Sequence, residues 1–575
     1  MTHSFEVWAP DRKRVELLVD ERRTAMTRGD GGWWTASDAD AGPGARYGFA
    51  LEGGDVRPDP RSPSQPDGVF GLSELVDHHA YPWADSGWAG RPLKGSVLYE
   101  MHIGTFSTDG TFAGAIERVP YLANLGVDIV ELMPVAEFSG VHGWGYDGVD
   151  LFAPHHAYGG PDGLKGLVNA CHAAGLAVIL DVVYNHLGPA GNFLSEYGPY
   201  FSDRHRTAWG ATLNFDGEAS EEVRAFVLDN TEMWIRSYHM DGLRLDAIQA
   251  IADDSPVHIL AAIGERVHTL GAALGRSTVV VAESNLNEPR LVQSRDAGGH
   301  ALDGAWADDW HHAVHVALTG EHVGYYADFG SPAQLAKALR QAWVFDGTWS
   351  ARRNRFHGRP TTGLEPQTFV IALQNHDQVG NRAAGDRLPA QVDQVRLKIA
   401  AALLLTSPFT PLLFQGEEWA ASTPFQYFTD HADPQLGKAV SEGRRREFAA
   451  FGWRPENVPD PQDPATFERS RLRWDEIEMP AHQEMLEWYR SLLALRRRLT
   501  NEQAEVEVDE HASRISVAGD RIVVRVNLGQ TDWVLELGER DRLLMRSEPS
   551  IRQEGARLCL PPWSVAIVET EPFIG

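Results

Sequence analysis

Three acidic residues follow short apolar runs in the sequence and have the types needed for glycoside hydrolysis. Asp246 lies in the run 242–247, Glu283 follows the run 278–282, and Asp377 closes the run 368–377. A retaining glycosidase needs one carboxylate as the nucleophile and one carboxylic acid as the proton donor. We therefore expect Asp246 to attack the anomeric carbon, Glu283 to act as acid and then base, and Asp377 to stabilise the oxocarbenium-like transition state.

An arginine accompanies the expected nucleophile. Arg244 lies two residues before Asp246, between Leu243 and Leu245. Alternate side chains of a strand point to opposite faces, so Arg244 and Asp246 share one face and the leucines share the other. The guanidinium would keep a desolvated Asp246 ionised, as a nucleophile must be. A buried ion pair without chemistry is the alternative, and the crowding of further acids at the same rim disfavours it.

The neighbouring sequence suggests that Glu283 is protonated, and three further polar residues are expected to hydrogen-bond to the sugar. Glu283 follows the apolar sequence "TVVVA", which would raise its pKa and keep it protonated as the acid. Asp377 would also accept hydrogen bonds from sugar hydroxyls. His186 and His376 would donate hydrogen bonds to the sugar ring, although each suits an ordinary core histidine equally well.

Eight apolar runs alternate with helical patterns and must position these residues. They occupy residues 96–103, 127–135, 177–185, 242–247, 278–284, 304–310, 368–377 and 411–418. This alternation predicts an α/β fold, a (β/α)8 TIM barrel, in which catalytic residues lie at the C-terminal ends of the strands. The stretch 186–220 is too long for a simple loop and predicts a functional excursion.

Short β-strand patterns precede and follow the predicted barrel. We expect an N-terminal β-sandwich domain at 1–90, the catalytic barrel at 91–500 and a C-terminal β-sandwich domain at 501–575. The sequence "RPDPRSPSQPDG" (57–68) has the composition of a linker.

Composition excludes several classes of protein. The net charge of −28 disfavours nucleic-acid binding, which needs clustered Lys and Arg, so the runs 444–446 and 496–498 are interpreted as solvated faces or helix ends. The two cysteines, Cys171 and Cys559, are expected to be free thiols in a reducing compartment. No secretory signal or apolar span is present, so we expect a cytoplasmic protein without membrane contact.

Four segments closely resemble the sequence blocks of the α-amylase family, glycoside hydrolase family 13. They are "DVVYNH" (181–186), "GLRLDA" (242–247), "AES" (282–284) and "QNHDQ" (374–378). The resemblance implies the same three catalytic roles for Asp246, Glu283 and Asp377. "GWGYD" (143–147) resembles the block whose tyrosine, here Tyr146, stacks on the sugar at the cleaved bond, with Asp147 beside it.

Nearly the whole chain resembles one branch of that family, which hydrolyses the α-1,4 bond next to a terminal trehalose unit. Maltooligosyltrehalose or a related α-glucan is then the implied substrate, a maltooligosyltrehalose synthase is the implied functional partner, and no cofactor is needed. Matching segments imply further substrate-binding residues, namely Arg244, Ala247, Ile248, Gln249, Asp308, Asp309, Trp310, His311, His312, His376, Gln378, Val379, Gly380 and Asn381.

Aromatic residues on the expected rim loops suit sugar rings, which stack on aromatic faces. These residues are Trp144, Trp310, Trp419, Phe425, Tyr427 and Phe428, and each would serve equally well as a loop anchor. No metal site is predicted. The pairs 78–79, 155–156 and 311–312 are adjacent histidines, and adjacent residues of a strand point apart.

Other outcomes of the same chemistry stay open at this point. A glycogen branching enzyme uses the same carboxylates but passes the glycosyl group to a sugar 6-hydroxyl, and a debranching enzyme is a third candidate. A non-catalytic glucan-binding barrel is a different class. It should lack at least one of the three acids, and this chain has all three.

Overall fold

The computed structural model of the chain describes residues 3–207, 210–449, 454, 458–499, 504–519 and 521–570. Its N-terminal strands are β1 (His3–Trp8), β2 (Val15–Val19), β3 (Arg22–Ala25), β4 (Thr27–Arg28), β5 (Trp33–Asp38), β6 (Arg46–Leu51), β7 (Val56–Arg57) and β8 (Ser73–Glu74). They form the antiparallel sheets β1-β5-β4 and β3-β2-β6-β7, with β8 paired to β6. Strands β1, β2, β5 and β6 overlap the strand-like sequences "FEVWAP" (5–10), "RVELLVD" (14–20), "WWTASDAD" (33–40) and "RYGFALEG" (46–53), from which the strands are predicted.

The central strands are β9 (Leu98–Met101), β10 (Ile129–Leu132), β11 (Ala136–Glu137), β12 (Asp150–Pro154), β13 (Ala177–Val182), β14 (Phe201–Thr207), β15 (Gly210–Leu213), β16 (Gly242–Leu245), β17 (Val279–Ala282), β18 (Gly304–Trp306), β19 (Thr348–Ser350), β20 (Arg355–His357), β21 (Phe369–Ala372) and β22 (Thr410–Phe414). Strands β9, β10, β13, β16, β17, β18, β21 and β22 close a parallel barrel. Each lies in one of the predicted runs, except that β22 begins one residue before its run. The pairs β11–β12, β14–β15 and β19–β20 are hairpins. The predicted fold class is confirmed.

The side chains inside the barrel change from apolar to charged along several of the strands. On β13, Ile179 belongs to the apolar cluster in the barrel interior, and Asp181, two residues later, is a buried acid. On β16, Arg244 is fully buried, whereas Leu243 and Leu245 belong to the separate cluster outside the barrel. The period of two therefore collects charged groups at the C-terminal end of the barrel.

The α-helices are α1 (Ile103–Phe106), α2 (Phe112–Ile116), α3 (Val119–Leu125), α4 (Gly160–Ala173), α5 (Leu194–Tyr197), α6 (Ser220–Arg236), α7 (Ile259–Leu274), α8 (Asp308–Thr319), α9 (Pro332–Gln341), α10 (His376–Gly380), α11 (Gln394–Leu405), α12 (Pro434–Ala449), α13 (Pro464–Ser470) and α14 (Pro480–Arg496). The helical patterns in the sequence, at 113–126, 161–175, 221–239 and 485–499, correspond to α2 with α3, to α4, to α6 and to α14. No helix among the described residues is long and apolar enough to cross a membrane.

The N-terminal sheets pack against the excursion that follows β13. Trp8 contacts Tyr200 with ring centroids 5.2 Å apart, and Arg57 forms an ion pair with Glu196 at 3.0 Å. The segment 57–68, which has the composition of a linker, contains buried polar side chains. They are Ser62, Ser64 and Gln65, and the Ser62 hydroxyl hydrogen-bonds to the Ser64 carbonyl and to Gln65 Oε1 within the segment.

The C-terminal strands are β23 (Glu505–Asp509), β24 (Arg514–Ala518), β25 (Ile522–Asn527), β26 (Trp533–Glu536), β27 (Arg542–Arg546), β28 (Arg552–Glu554), β29 (Arg557–Leu560) and β30 (Ser564–Glu569). They form the sheets β23-β24-β25-β30-β27 and β26-β29-β28. The predicted boundary at residues 500–501 lies outside the described residues, and the division into three domains stays a prediction.

Two residues of the basic runs interpreted as solvated faces or helix ends make specific contacts, and Arg496 does end helix α14. Arg496 is 3% exposed and donates to the carbonyls of Leu405, Ser407 and Phe409. Its guanidinium thus completes the end of α11, where carbonyl groups have no helical partner. Arg444 donates to the backbone carbonyl of Gly380, the last residue of α10, and to the side-chain oxygen of Asn381, which caps that helix. Cys171 and Cys559 are free, as predicted.

Candidate active site

A cavity of about 540 Å³ opens at the C-terminal ends of the barrel strands. It is lined by all three predicted catalytic acids, Asp246, Glu283 and Asp377. Many of the predicted binding residues line it too: Trp144, Tyr146, Asp147, His186, Ala247, Gln249, Asp308, His312, His376, Gln378 and Asn381. The barrel brings these residues together because the ends of its strands meet at one rim.

Arg244 is fully buried behind the cavity wall and links two of the acids that line it. Its Nη1 is 2.9 Å from Asp246 Oδ1, and its Nη2 is 3.8 Å from Glu283 Oε2. Nη1 also donates to both carboxylate oxygens of Asp181, at 2.9 and 2.8 Å. One buried cation therefore offsets the charge of several acids, each delivered by a different strand or strand end. The cation offsets the electrostatic repulsion between these acids, which would otherwise destabilise a site shielded from water.

Glu283 differs from Asp246 in its hydrogen bonding and in its pKa. Burial raises the pKa of Glu283 from its ordinary value of 4.5 to about 8, with Asp246 and Asp377 adding to the shift and Arg244 opposing it. Glu283 Oε2 accepts a hydrogen bond from the backbone N–H of Ala247 at 2.5 Å. A pKa of about 8 favours the protonated form of Glu283 at neutral pH.

The backbone beside Asp246 is held in an uncommon conformation. Ala247 has φ 40° and ψ 51°, in the left-handed region that non-glycine residues rarely adopt. This conformation aims the Ala247 N–H at Glu283, while Asn185 Nδ2 donates to Asp246 Oδ2 at 2.6 Å. Strain of this kind costs about 1–3 kcal/mol and is typical of active sites.

Asp377 is held at the start of α10, immediately after the seventh barrel strand. Its Oδ1 accepts a hydrogen bond from Asn381 Nδ2 at 2.9 Å, one helical turn away. Asn375 caps this short helix by accepting from Gln378 N at 2.7 Å. The cap and the turn together fix the direction of the Asp377 carboxylate, so that it faces the cavity beside His376.

His376 connects the first barrel strand to Tyr146. Its Nδ1 lies 2.5 Å from Glu100 Oε1, and its Nε2 lies 2.7 Å from the Tyr146 hydroxyl. That hydroxyl donates to Asp181 Oδ2 at 2.6 Å. Although burial disfavours the charged ring, the carboxylates of Glu100 and Asp377 raise the pKa of His376 to about 9. His376 is therefore an imidazolium at neutral pH.

Glu100→Gln is expected to lower kcat/KM by about tenfold, because it removes the anion that keeps His376 charged. The pKa of His376 should fall, since burial then acts with less opposition. Two-dimensional NMR of the histidine ring protons, followed through a pH titration, measures the second effect directly.

The matched control is Glu131→Gln. Burial and the charge of Glu100 hold the pKa of Glu131 well above its ordinary value, and among the described residues its carboxyl oxygens have no hydrogen-bond partner, whereas Glu100 bonds directly to His376. We expect this variant to keep the His376 titration and kcat/KM of the wild type. An unchanged His376 titration in Glu100→Gln would show that Glu100 does not set the charge of the ring.

Several residues expected to touch substrate lie behind the cavity wall instead. They are Arg244, Ile248, Asp309, Trp310, His311, Val379 and Gly380. Asp309 accepts from Asn287 Nδ2 and from two backbone N–H groups, so it anchors the segment after α9. His311 contacts the hydroxyl of Tyr326 at 3.2 Å. Successive residues of a helix point about 100° apart, which explains why His312 lines the cavity and His311 does not.

Gly380 shapes the cavity without lining it. A Cβ atom at this position would lie 2.1 Å from two ring atoms of Trp144, whose Nε1 donates to Gln426 O at 2.9 Å. We expect Gly380→Ala to displace the Trp144 ring, to lower the free energy of unfolding by about 1–3 kcal/mol and to raise KM. Urea unfolding and steady-state kinetics measure the two effects.

Gly443→Ala is the control for this prediction, since no atom lies within 4 Å of a Cβ placed there in helix α12. It should leave KM unchanged and should not destabilise the fold. Equal KM values for Gly380→Ala and the wild type would show that the Trp144 ring can shift without consequence.

The aromatic residues predicted for the rim divide into two groups. Trp144 and Tyr427 line the cavity. Trp310, Trp419, Phe425 and Phe428 are each completely buried, so they anchor loops and do not offer a face to a sugar. The burial of these rings depends on tertiary packing, which the sequence pattern does not reveal.

The sequence reasoning missed a group of lining residues. They are Asn285, Glu321, Val323, Tyr325, Tyr326, Arg352, Arg353, Arg382 and Arg444. Most belong to the segment between α8 and β21, which contains α9 and the hairpin β19–β20. Its length between two barrel strands was the available signal, because long loops in barrels often carry function. Arg444, in a run interpreted as a solvated face or a helix end, donates to Asn381 Oδ1 at 3.0 Å.

Two clusters among the described residues bring possible metal ligands together. One is Glu137, His155 and His156, and the other is His205, Asp216 and Asp254. The assumption that adjacent histidines point apart is wrong for the first. They lie in a turn after β12, and both Nδ1 atoms approach Glu137 Oε1, at 3.1 and 2.7 Å. Hydrogen bonds account for this arrangement, and neither cluster lines the cavity.

Comparison with known proteins gives consistent matches. The family model for the alpha amylase catalytic domain matches residues 80–207. Malto-oligosyltrehalose trehalohydrolase from Rhizobium sp. (strain M-11) is 48% identical, covering 98% of this chain and 97% of the relative. The protein of the same name from Arthrobacter ramosus is 48% identical, covering 99% of this chain and 100% of the relative. The crystal structure of a putative alpha amylase from Salmonella typhimurium has a TM-score of 0.91 at 38% identity, covering 99% and 98% of the two chains.

A branching enzyme matches only in part. The 1,4-alpha-glucan branching enzyme GlgB from Vibrio parahaemolyticus is 35% identical over 43% of this chain and 36% of its own length. The trehalohydrolase matches extend over the sheets on both sides of the barrel as well.

Proposed function

The chain belongs to the malto-oligosyltrehalose trehalohydrolases of the α-amylase family, and from this we propose that Asp246, Glu283 and Asp377 carry out its reaction. The protein is a glycoside hydrolase that cleaves the α-1,4 bond next to the terminal trehalose of malto-oligosyltrehalose. One observation carries the assignment of roles: two carboxyl groups contact one buried guanidinium, and only Glu283 also has its pKa raised to about 8.

In the first step, Asp246 attacks the anomeric carbon of the glucose unit next to trehalose. Glu283 gives its proton to the glycosidic oxygen, the bond from carbon to that oxygen breaks, and trehalose leaves with a free hydroxyl. Glu283 Oε2 accepts from the Ala247 N–H, which leaves Oε1 to carry the proton. The maltooligosaccharide stays bound to Asp246 through an ester.

In the second step, the Glu283 carboxylate removes a proton from water. The resulting hydroxide attacks the same carbon and displaces Asp246, so that the configuration of the sugar is retained and the free enzyme is restored. Asp377 stabilises the positive charge on the ring in both transition states. The Tyr146 ring stacks on the sugar at the cleaved bond, and His376 supports Tyr146 from behind.

The activity is expected to fall as the pH rises through about 8. Below this value Glu283 is protonated and can act as the acid, and above it the proton is lost. A profile of kcat/KM against pH measures the pKa of the essential acid in the free enzyme.

Asp308 is a second acid of the cavity whose titration could produce the same loss of activity at high pH. Burial and the charges of Asp377 and Asp309 raise its pKa to about 7. Asp308→Asn should keep the basic limb, moved slightly to lower pH because one charge that raises the pKa of Glu283 is gone. Disappearance of the limb in Asp308→Asn would assign it to Asp308 instead.

Analysis of the products distinguishes hydrolysis from the alternatives. We expect free trehalose and a maltooligosaccharide from maltotriosyltrehalose and longer substrates. New α-1,6 branches would indicate a branching enzyme, and linear chains released from a branched glucan would indicate a debranching enzyme. A protein that binds these glucans without changing them would be a non-catalytic barrel. The full-length trehalohydrolase matches, against a partial branching-enzyme match, support the first outcome.

We also propose that a maltooligosyltrehalose synthase is the functional partner, because the reaction class that supplies this substrate must convert the reducing end of a maltooligosaccharide to trehalose. A cytoplasmic location is proposed on the two free cysteines, which suit a reducing compartment.

A further inference from the structure

Hairpin β19–β20 carries two exposed aromatic side chains beside the cavity. Trp349 and Phe356 are cross-strand partners, and their ring centroids lie 5.4 Å apart. Trp349 is 51% exposed and Phe356 is 72% exposed. Two large apolar rings exposed to water are less favourable in free energy than the same rings buried. Exposed apolar groups that lie together mark surfaces that bind another molecule.

The opposite face of the hairpin is anchored to the rim. Ser350 and His357 are buried, Ser350 Oγ donates to Asp328, and His357 Nε2 lies 2.9 Å from the backbone oxygen of Asn285. Asn285 itself lines the cavity. The two aromatic rings are thus fixed in direction by a rigid support, and binding to them requires little ordering of the protein.

The tip of the same hairpin enters the cavity. Arg352 and Arg353 lie in the turn between the strands, and both line the cavity wall. The Arg352 guanidinium lies 4.8 Å from the ring centroid of Tyr325, another lining residue. The exposed rings and the cavity are therefore connected through one small element, and a long ligand can reach both.

We propose that Trp349 and Phe356 form a second binding site for α-1,4-glucan, which holds a segment of a long chain outside the cavity. This proposal rests on the proposed function, since the substrate is an α-glucan. The apolar faces of glucose units pack on aromatic rings. Successive units of an α-1,4 chain turn relative to one another, and the two rings are inclined by 80°. Each ring can therefore face a different unit of the same chain.

The test uses the double variant Trp349→Thr/Phe356→Thr, because threonine keeps the strand propensity of the hairpin. In a Glu283→Gln background, retardation in gels containing soluble amylose should weaken by about tenfold, the effect of losing roughly one buried aromatic face. Phe70→Thr is the control, since Phe70 is also exposed but belongs to neither the hairpin nor the cavity lining. It should leave the retardation unchanged.

Kinetics with intact Glu283 give the second measurement. The double variant should keep the wild-type kcat/KM for maltotriosyltrehalose and lose kcat/KM for substrates of more than about ten units, since only long chains reach both sites. Unchanged retardation by amylose would overturn the proposal. An equal loss for short and long substrates would also overturn it, because the rings would then serve the cavity itself. Failure of the wild type to release trehalose would refute the proposed function alone, since retardation needs no hydrolysis.

Discussion

Glu283→Gln is expected to lower kcat on malto-oligosyltrehalose by about 10³-fold or more while leaving oligosaccharide binding nearly unchanged. The amide has the shape of the acid and can accept the Ala247 N–H bond, which is 2.5 Å long in the wild type. It has no proton to give to the leaving oxygen at neutral pH. Isothermal titration with a maltooligosaccharide, together with trehalose release, separates binding from chemistry.

A substrate with fluoride as the leaving group tests the role of Glu283 more sharply. Fluoride departs without protonation, so the first step on an α-maltosyl fluoride should be much less impaired than on the natural substrate. Glu321→Gln is the control, because Glu321 lines the same cavity but pairs with His315 and Arg382. It should affect both substrates by the same factor. Wild-type turnover of the natural substrate by Glu283→Gln would remove this residue from its role.

Asp246→Ala is expected to lower the rate by at least about 10⁴-fold, in the range found when a covalent nucleophile is removed. Its carboxylate forms the ester in the proposed mechanism, and no other lining acid contacts Arg244 as closely: Nη1 lies 2.9 Å from Asp246, whereas Glu283 is 3.8 Å from Nη2. Sodium azide should restore turnover, because the anion can occupy the space that the side chain leaves.

The product of this rescue identifies the nucleophile. Azide entering from the face that Asp246 vacates attacks opposite the leaving group, so an α-linked substrate should give a β-glycosyl azide. NMR of the anomeric proton distinguishes the two configurations. Asp147→Ala, which alters another acid of the cavity wall, should show no rescue. An α-configured azide from Asp246→Ala would show that a different residue forms the ester.

The approach of these side chains to one another could be predicted because their positions follow from local sequence. Each barrel strand is a short apolar run, and its end is marked by a charged residue such as Asp246 or Glu283. Parallel strands of a closed barrel end at one rim, so strand assignment alone collects the acids. The opposite faces of Arg244 and Leu243 follow in the same way from the period of a strand.

The segment between α8 and β21 shows where such reasoning failed. Tyr325 and Arg353 line the cavity, yet no periodic pattern or known block marks them. Their placement depends on Asp309, whose carboxylate accepts the backbone N–H groups of Val344 and Phe345. These contacts join residues more than 30 positions apart, and the sequence pattern within a single strand or helix does not predict them.

The sequence by itself determined the barrel, the three acids at its rim and the arginine beside them, because strand period and strand ends are properties of neighbouring residues. Only the tertiary structure decided that His312 faces the cavity while His311 does not, that Arg444 closes the wall and that Trp310 is buried. Those outcomes depend on which distant segments pack together. Burial of a side chain depends on whether its shape fits the space between distant segments. The sequence next to an aromatic or basic residue is therefore similar whether the side chain is buried, bound or exposed.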